Sequence, residues 1–349
     1  DITSKIFTRN PVGPFTTSTL QQTSSSKLGF GASRTMQIAQ RLYQGIDIEG
    51  DTIGLITYMR TDGTNISKEA LNDFRNYIDN NFGKNYLPDE PMNYSGKKAK
   101  NAQEAHEAIR PTVLLKDLDI SSEEERLYNL IFKRTITSHM KPAEYDVYRI
   151  QLNNEETKEF GYFTTNYRQM TFPGFLSYGK KEEDIKLEEK PSFQEEYILE
   201  ECTSSEKDSP KPSLYNESAI VNLLEETGIG RPSTYASIIS TLGNRKYTVI
   251  KDMKTDDIDV KILQLTKENQ LVRKTIVQKG KVVKKRIQTT PLGRKVLHYL
   301  QEHFANVLHK EFTSGVEKDL DLIALGKEDY IDVIRKVYVS FIDVVDQQM

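Results

Sequence analysis

Three short stretches of this chain carry residue types that could do chemistry. The first is Tyr58-Met59-Arg60-Thr61-Asp62. A phenol with a pKa of ~10 is a weak nucleophile until something stabilises the phenolate or the charge that develops as it attacks. Arg60 can do that, because positions two apart on an extended strand point the same way, and a guanidinium can hold a phosphate through two parallel hydrogen bonds. The same spacing equally fits a packed tyrosine beside a surface arginine. The second stretch is Gln103-Glu104-Ala105-His106-Glu107-Ala108-Ile109-Arg110-Pro111. At helical spacing Gln103, His106 and Arg110 share one face, which would offer a phosphate an amide, an imidazole and a guanidinium together. A structural or surface histidine is the competing reading. Zinc is disfavoured, since no second His or Cys stands at ligand spacing. The third is Gly228-Ile229-Gly230-Arg231-Pro232-Ser233-Thr234-Tyr235, leading into Ala236, Ile238, Ile239 and Leu242. It reads as a helix start whose free backbone N–H groups, helped by Arg231, suit an anion, or as an ordinary capped helix. Without a GK[ST] ending it is no phosphate P-loop.

The elements that must position these residues can be read coarsely. Met36, Ile38, Ala39, Leu42 and Tyr43 form an amphipathic stripe from Ser33 onward. Gly54 to Met59 is β-prone and ends on the turn signal Asp62-Gly63, so Tyr58 is expected on a strand. Ser67 is an N-cap for a helix carrying Ala70, Leu71 and Phe74, and Glu123 to His139 is helical again. From Tyr145 to about Phe175 the period drops to two and the chain turns to strands. An acidic, Pro-containing stretch to Pro212 reads as a linker or exposed edge. A mainly helical region follows from Asn216, interrupted by a basic β-hairpin between about Tyr247 and Thr289.

With 349 residues the chain has material for two or three domains. One cysteine, Cys202, excludes an intramolecular disulfide framework and any zinc ribbon of cysteine pairs, which points to an intracellular, cytoplasmic setting. No apolar run approaches the ~18 residues of a membrane span. The net charge of −3 hides a segregation that decides the partner. Residues 2–46 hold five basic residues and no acid, residues 227–250 hold Arg231, Arg245 and Lys246 and no acid, and residues 269–301 hold nine basic residues and no acid. Against them, residues 182–201 hold nine acids and two lysines. Any one such block fits a solvated face. Three in one slightly acidic chain argue for an extended anionic ligand, a nucleic acid.

Taken in order, these stretches resemble the type IA DNA topoisomerases, the bacterial topoisomerase I branch most closely. The resemblance rests on Pro14-Phe15-Thr16-Thr17-Ser18-Thr19-Leu20-Gln21-Gln22, Leu28-Gly29-Phe30-Gly31, Ile56 to Asp62, Ala105 to Pro111 and Gly228 to Ala236, with Thr290-Pro291-Leu292-Gly293, Phe312-Thr313, Glu317, Leu320 and Gly326 further on. It implies a mixed α+β, multidomain fold built as a toroidal arch. Residues 1–17 and 145–212 would belong to a strand-rich arch, 18–144 to a helical tyrosine domain, and 213–349 to a mainly helical base that binds single strands. Tyr58 matches the nucleophile that forms a 5′-phosphotyrosyl link. Arg60 matches the residue placed on the scissile phosphate, and His106 belongs to the same neighbourhood. Asp62, Arg110, Arg231, Ser233, Thr234 and Arg245 match DNA-contacting positions. The implied substrates are single-stranded and negatively supercoiled duplex DNA. The implied enzyme is monomeric, needs no ATP, and is nucleoid-associated if bacterial.

The resemblance also implies magnesium, bound by an acidic Toprim domain for which this sequence has no counterpart. Asp257-Ile258-Asp259-Val260-Lys261 ends in lysine and is rejected as its donor set, so no metal ligand is assigned. The chain is expected to be the central fragment of a longer polypeptide, one that by itself binds single-stranded DNA without relaxing plasmids. Two alternatives stay open: a topoisomerase III-like decatenase, and a nonenzymatic single-strand-binding module. Tyrosine recombinases are disfavoured, because their arginine–histidine pattern precedes the nucleophile and His106 follows it. The lysine-rich block 269–301 is longer than the bacterial pattern and has no role in this reading.

Overall fold

The computed structural model describes residues 1–48, 50–94, 106–115, 118–156, 158–180, 196–209 and 212–348, so Gln103 and most of the acidic stretch lie outside the described residues. The chain forms two compact units, Asp1–Pro191 with Arg231–Ser233, and Ser192–Gly230 with Thr234–Met349. Helices and antiparallel sheets occur in both, a mixed α+β fold.

The first unit runs β1 (Ile2–Arg9), α1 (Thr17–Lys27), α2 (Ala32–Gln44), β2 (Ile46–Ile48), β3 (Asp51–Ile53), α3 (Lys68–Phe82), α4 (Ser122–Ser138), β4 (Ala143–Leu152) and β5 (Phe163–Phe172). Its core is helical. Leu20 of α1, Ile38 and Leu42 of α2, Phe74 and Ile78 of α3, and Leu127 and Ile131 of α4 are buried together with Leu55, Ile56 and Met59. Each such side chain contributes roughly 1.5–3 kcal/mol on leaving water. The cap anticipated at Ser67 is present, and α4 carries one that the sequence reading did not name. The Ser67 hydroxyl accepts from the Ala70 N–H, and Ser121 and Glu124 close a capping box. β1 pairs antiparallel with β4, and β4 with β5, so the first residues of the chain join the strands that the period-two pattern marks.

The second unit runs β6 (Cys202–Ser205), α5 (Glu217–Thr227), α6 (Tyr235–Asn244), β7 (Thr248–Lys254), β8 (Ile258–Leu265), β9 (Leu271–Gln278), β10 (Val282–Thr289), α7 (Pro291–His303), α8 (Ala305–Leu308), α9 (Lys310–Ala324) and α10 (Tyr330–Gln348). Among the described residues, no helix is long and apolar enough to cross a membrane.

Thr17–Lys27, to which the sequence pattern assigns no element, is a helix despite its serines and threonines, because Thr16 and Thr19 form a capping box and Leu20 is fully buried. Four local expectations need correction. The run from Gly54 to Met59 is not a strand. It makes one isolated bridge, Ile56 to Pro111, and on its other side it meets helices rather than a strand: the Leu55 N–H donates to the Leu42 carbonyl of α2, and the Thr17 hydroxyl of α1 donates to the Met59 carbonyl. Residues 106–111 are extended rather than helical, with Ile109 bridging Phe15, so no helical face unites His106 with Arg110. Cys202–Ser205, inside the expected linker, is a strand paired with β8. The expected basic hairpin is two nested pairings: β8 with β9 inside, β7 with β10 outside. The Asp257 carboxylate accepts from the Lys279 ammonium and the Gly280 N–H, which makes it a clamp closing the inner hairpin.

Candidate active site

Tyr58 sits on an irregular segment held from both sides by threonine hydroxyls. On one side the Thr17 hydroxyl, at the first turn of α1, donates to the Met59 carbonyl at 2.7 Å. It also accepts from the Thr61 N–H at 2.8 Å, while the Thr17 N–H donates to the Thr61 carbonyl at 2.8 Å. On the other side the Thr57 hydroxyl donates to the Ala108 carbonyl at 2.7 Å and accepts from the Arg110 N–H at 3.0 Å. The Thr57 N–H reaches the Arg110 carbonyl at 3.0 Å. These buried polar bonds are each worth on the order of 1 kcal/mol and leave the residue between them little freedom.

Within this frame the Tyr58 ring is half-buried and packed edge-on against two others. The Tyr43 ring, from the last turn of α2, lies with its centroid 5.3 Å away. The His106 ring lies 4.9 Å away, tilted by 61°. Edge-to-face geometry of this kind orients a ring while leaving its rim accessible. The close approach of His106 depends on Gly63, where a Cβ would come within 2.3 Å of the His106 carbonyl. Tyr58 and His106 are therefore brought together as neighbours in space, by packing rather than by a shared helix.

Arg60 is exposed, and its guanidinium makes no hydrogen bond or ion pair with a described residue. The strand geometry that would have laid it beside the Tyr58 hydroxyl does not form. Arg110 is committed elsewhere. Its Nε and Nη2 donate to the two carboxylate oxygens of Glu107 at 2.9 and 2.8 Å, and its Nη1 donates to the Pro111 carbonyl. The same Glu107 carboxylate accepts from the Ser67 N–H, so it ties the start of α3 to the His106 segment. Asp62 is half-buried.

In the third stretch, Gly228 closes α5 in the left-handed conformation at φ 70°, and Gly230 at φ 78° approaches the Thr234 hydroxyl. A turn over Pro232 to Thr234 intervenes, so α6 begins at Tyr235, later than the Pro-Ser-Thr signal suggested. Ser233 and Arg245 are exposed, Arg231 and Thr234 half-buried.

Sequence reasoning missed Tyr43, Thr17, Thr57 and Glu107 as parts of this site. Tyr43 was legible only as one member of an apolar stripe, and threonines that clamp a distant carbonyl leave no local signature. Among the described residues no group of three or more His, Cys, Asp or Glu side chains can hold a metal ion. Magnesium does not fit the residues described, and no step of the reaction is assigned to it.

A family model described as DNA topoisomerase matches residues 1–274. The DNA topoisomerase 1 of Xylella fastidiosa (strain Temecula1) is 38% identical over 365 residues, covering 100% of this chain and 40% of that protein. That of Helicobacter pylori (strain 26695) is 38% identical over 339 residues, covering 95% of this chain and 41% of that protein. The solved structure of full-length topoisomerase I from Thermotoga maritima superposes with a TM-score of 0.76 at 32% identity, covering 100% of this chain and 52% of that one. The chain thus spans about two fifths of the length of the curated relatives it matches.

Proposed function

The chain belongs to the DNA topoisomerase family, and on that premise we propose that it is the nucleophile-bearing part of a type IA enzyme that cuts and reseals one DNA strand through Tyr58. The Tyr58 Oη attacks the phosphorus of a backbone phosphodiester, the bond from phosphorus to the 3′ oxygen breaks, and the DNA becomes joined to the protein as a 5′-phosphotyrosyl ester. The phenol gives up its proton and the departing 3′ oxygen gains one, so the step is neutral in protons. One phosphodiester replaces another with bond energy roughly conserved. Resealing is the reverse attack and needs no ATP. Passage of a second strand through the gap relaxes negative supercoils, a process driven by torsional strain in the DNA.

The observation that carries this reading is the Tyr58 ring, fixed by Tyr43 and His106 within hydrogen-bonded walls yet left half-exposed. A nucleophile so held has already lost the orientational freedom that an attack in line with the leaving oxygen would otherwise cost. The exposed Arg60 guanidinium, without an ion-pair partner among the described residues, is available to offset charge on the phosphate once DNA arrives. His106 is the neighbour best placed to contact the phosphate or orient the phenol. Arg231, Ser233, Thr234 and Arg245 are proposed to contact single-stranded DNA, with binding that is salt-dependent and tolerant of sequence. Asp62 and Arg110 are proposed as further contacts, the Arg110 guanidinium reaching DNA only by leaving Glu107.

The test is adduct trapping in the full-length protein with end-labelled single-stranded DNA. Tyr58→Phe is expected to abolish covalent adducts while leaving noncovalent DNA binding intact, and the label is expected to place the link on the 5′ phosphate. Undiminished adducts in that variant, or a 3′ link, would overturn the reading.

A further inference from the structure

The lysine-rich block 269–301, which the catalytic reading leaves unused, supplies β10 of the outer ribbon of the second unit, and β7 adds further lysines to it. β7 and β10 pair with each other alone, as a two-stranded antiparallel ribbon. Over residues 248–254 and 281–289 it carries Lys251, Lys254, Lys281, Lys284, Lys285 and Arg286 against the single acid Asp252. All five lysines are exposed.

A solvated face usually alternates its charges and pairs them, and the neighbouring inner hairpin does so in part: Lys261 meets Glu206 and Lys279 meets Asp257, while Lys274 reaches the Gln264 amide. Lys251, Lys254, Lys281 and Lys284 have no carboxylate partner among the described residues. The register adds to the concentration. Val283 faces Met253 and Arg286 faces Lys251, so Lys284 and Lys285 both stand opposite Asp252, a β-bulge of two residues against one. Lys285 holds a left-handed backbone at φ 52°, which a β-carbon makes unfavourable, and its N–H donates to the Asp252 carboxylate at 2.8 Å. The bulge thus engages the one carboxylate within the two strands in fixing its own backbone. Opposite it, the Arg286 Nη1 donates to the Leu214 carbonyl, which anchors the ribbon to the segment before α5.

A two-stranded β-ribbon is one of the shapes that fit the major groove of B-form DNA. Six ladder positions at ~3.3 Å each span about 17–20 Å, enough to reach phosphates on both walls of such a groove. Cations distributed over both strands and around a bulge suit a ligand whose charge flanks the ribbon on two sides. We infer that the β7–β10 ribbon is a second DNA-binding element, which holds duplex DNA by its phosphates independently of the single-strand contacts around Tyr58. The choice of DNA as the polyanion rests on the function proposed above, whereas the ribbon's binding is independent of Tyr58.

The experiment measures binding of the full chain to a duplex of about 20 base pairs and to a single strand of equal length, by fluorescence anisotropy across a salt series. In the combined variant Lys251→Ala, Lys254→Ala and Lys284→Ala, duplex affinity is expected to fall about tenfold or more near 0.1 M salt. The slope of log affinity against log salt is expected to shrink by about 0.9 for each phosphate that is no longer neutralised, while single-strand affinity changes less than about twofold. The corresponding Lys→Arg combination is expected to retain duplex binding. Unchanged duplex affinity and slope in the alanine variant, or an equal loss on single strands, would overturn the inference. Adduct formation through Tyr58, measured separately in the full-length protein, distinguishes failure of the catalytic reading from failure of this one.

Discussion

At the scale of single residues, the candidate site is organised by contacts whose removal has calculable cost. The Glu107–Arg110 pair is bidentate, and the Arg110 side chain is only 13% exposed. Glu107→Gln strands a largely buried guanidinium and is expected to destabilise the chain by about 1–3 kcal/mol. Removing both ends, in Glu107→Gln with Arg110→Gln, should recover part of that loss. Thermal or denaturant unfolding of the two single variants and the double one measures the coupling, and a purely additive double variant would show that the pair is not cooperative. Because Glu107 follows His106 directly, the single variant is also expected to loosen the ring packing on Tyr58.

At the scale of elements, the first turn of α1 has two tasks. Thr16 caps the helix, its hydroxyl accepting from the Thr19 N–H at 3.3 Å while the Thr19 hydroxyl accepts from the Thr16 N–H at 2.9 Å. Thr17, the next residue, grips the backbone on either side of Arg60. Loss of the cap through Thr16→Ala is expected to cost about 1 kcal/mol of stability. It should also lower adduct formation in the full-length protein by more than that global loss explains, because the frayed turn is the one that positions the Tyr58 segment. A matched cap loss at Ser121→Ala, on α4 away from that segment, is the control: similar destabilisation with little effect on adducts is expected, and equal effects from both would refute the positioning role.

At the scale of the whole molecule, a buried histidine makes stability depend on pH. His139 follows α4, is 4% exposed and stacks on Phe74 with centroids 5.5 Å apart. Neither ring nitrogen has a hydrogen-bond partner among the described residues. Burial first, and the Arg75 charge second, hold its pKa down to about 4 from an ordinary 6.5. The native state therefore keeps the ring neutral over a range in which the unfolded chain is already protonated. Above pH 6.5 the histidine costs nothing. As pH falls from 6.5 towards 4 the unfolded state gains protons that the native state does not, and stability is lost by up to about 3 kcal/mol. Denaturant unfolding of His139→Phe, which keeps the stacked ring, is expected to show a shallower acid decline, and an unchanged decline would remove His139 as its source.

What the sequence determined by itself was local. The cap at Ser67, the apolar stripe of Ala32–Gln44 and the alternation along Ala143–Leu152 each fit within a few residues, where backbone hydrogen bonding and side-chain period are decided. The candidate nucleophile and its neighbours in the motifs were legible as residue types in order. The tertiary structure alone decided how they meet. Tyr58 is not on a strand and His106 is not on a helix; their rings touch because Thr17, Thr57 and Gly63 draw irregular segments together, through hydrogen bonds and close approaches between residues far apart in the chain. The same holds for the basic ribbon. Its lysines are visible in the sequence, but their concentration opposite one aspartate depends on the register of β7 against β10, and no local pattern encodes a register.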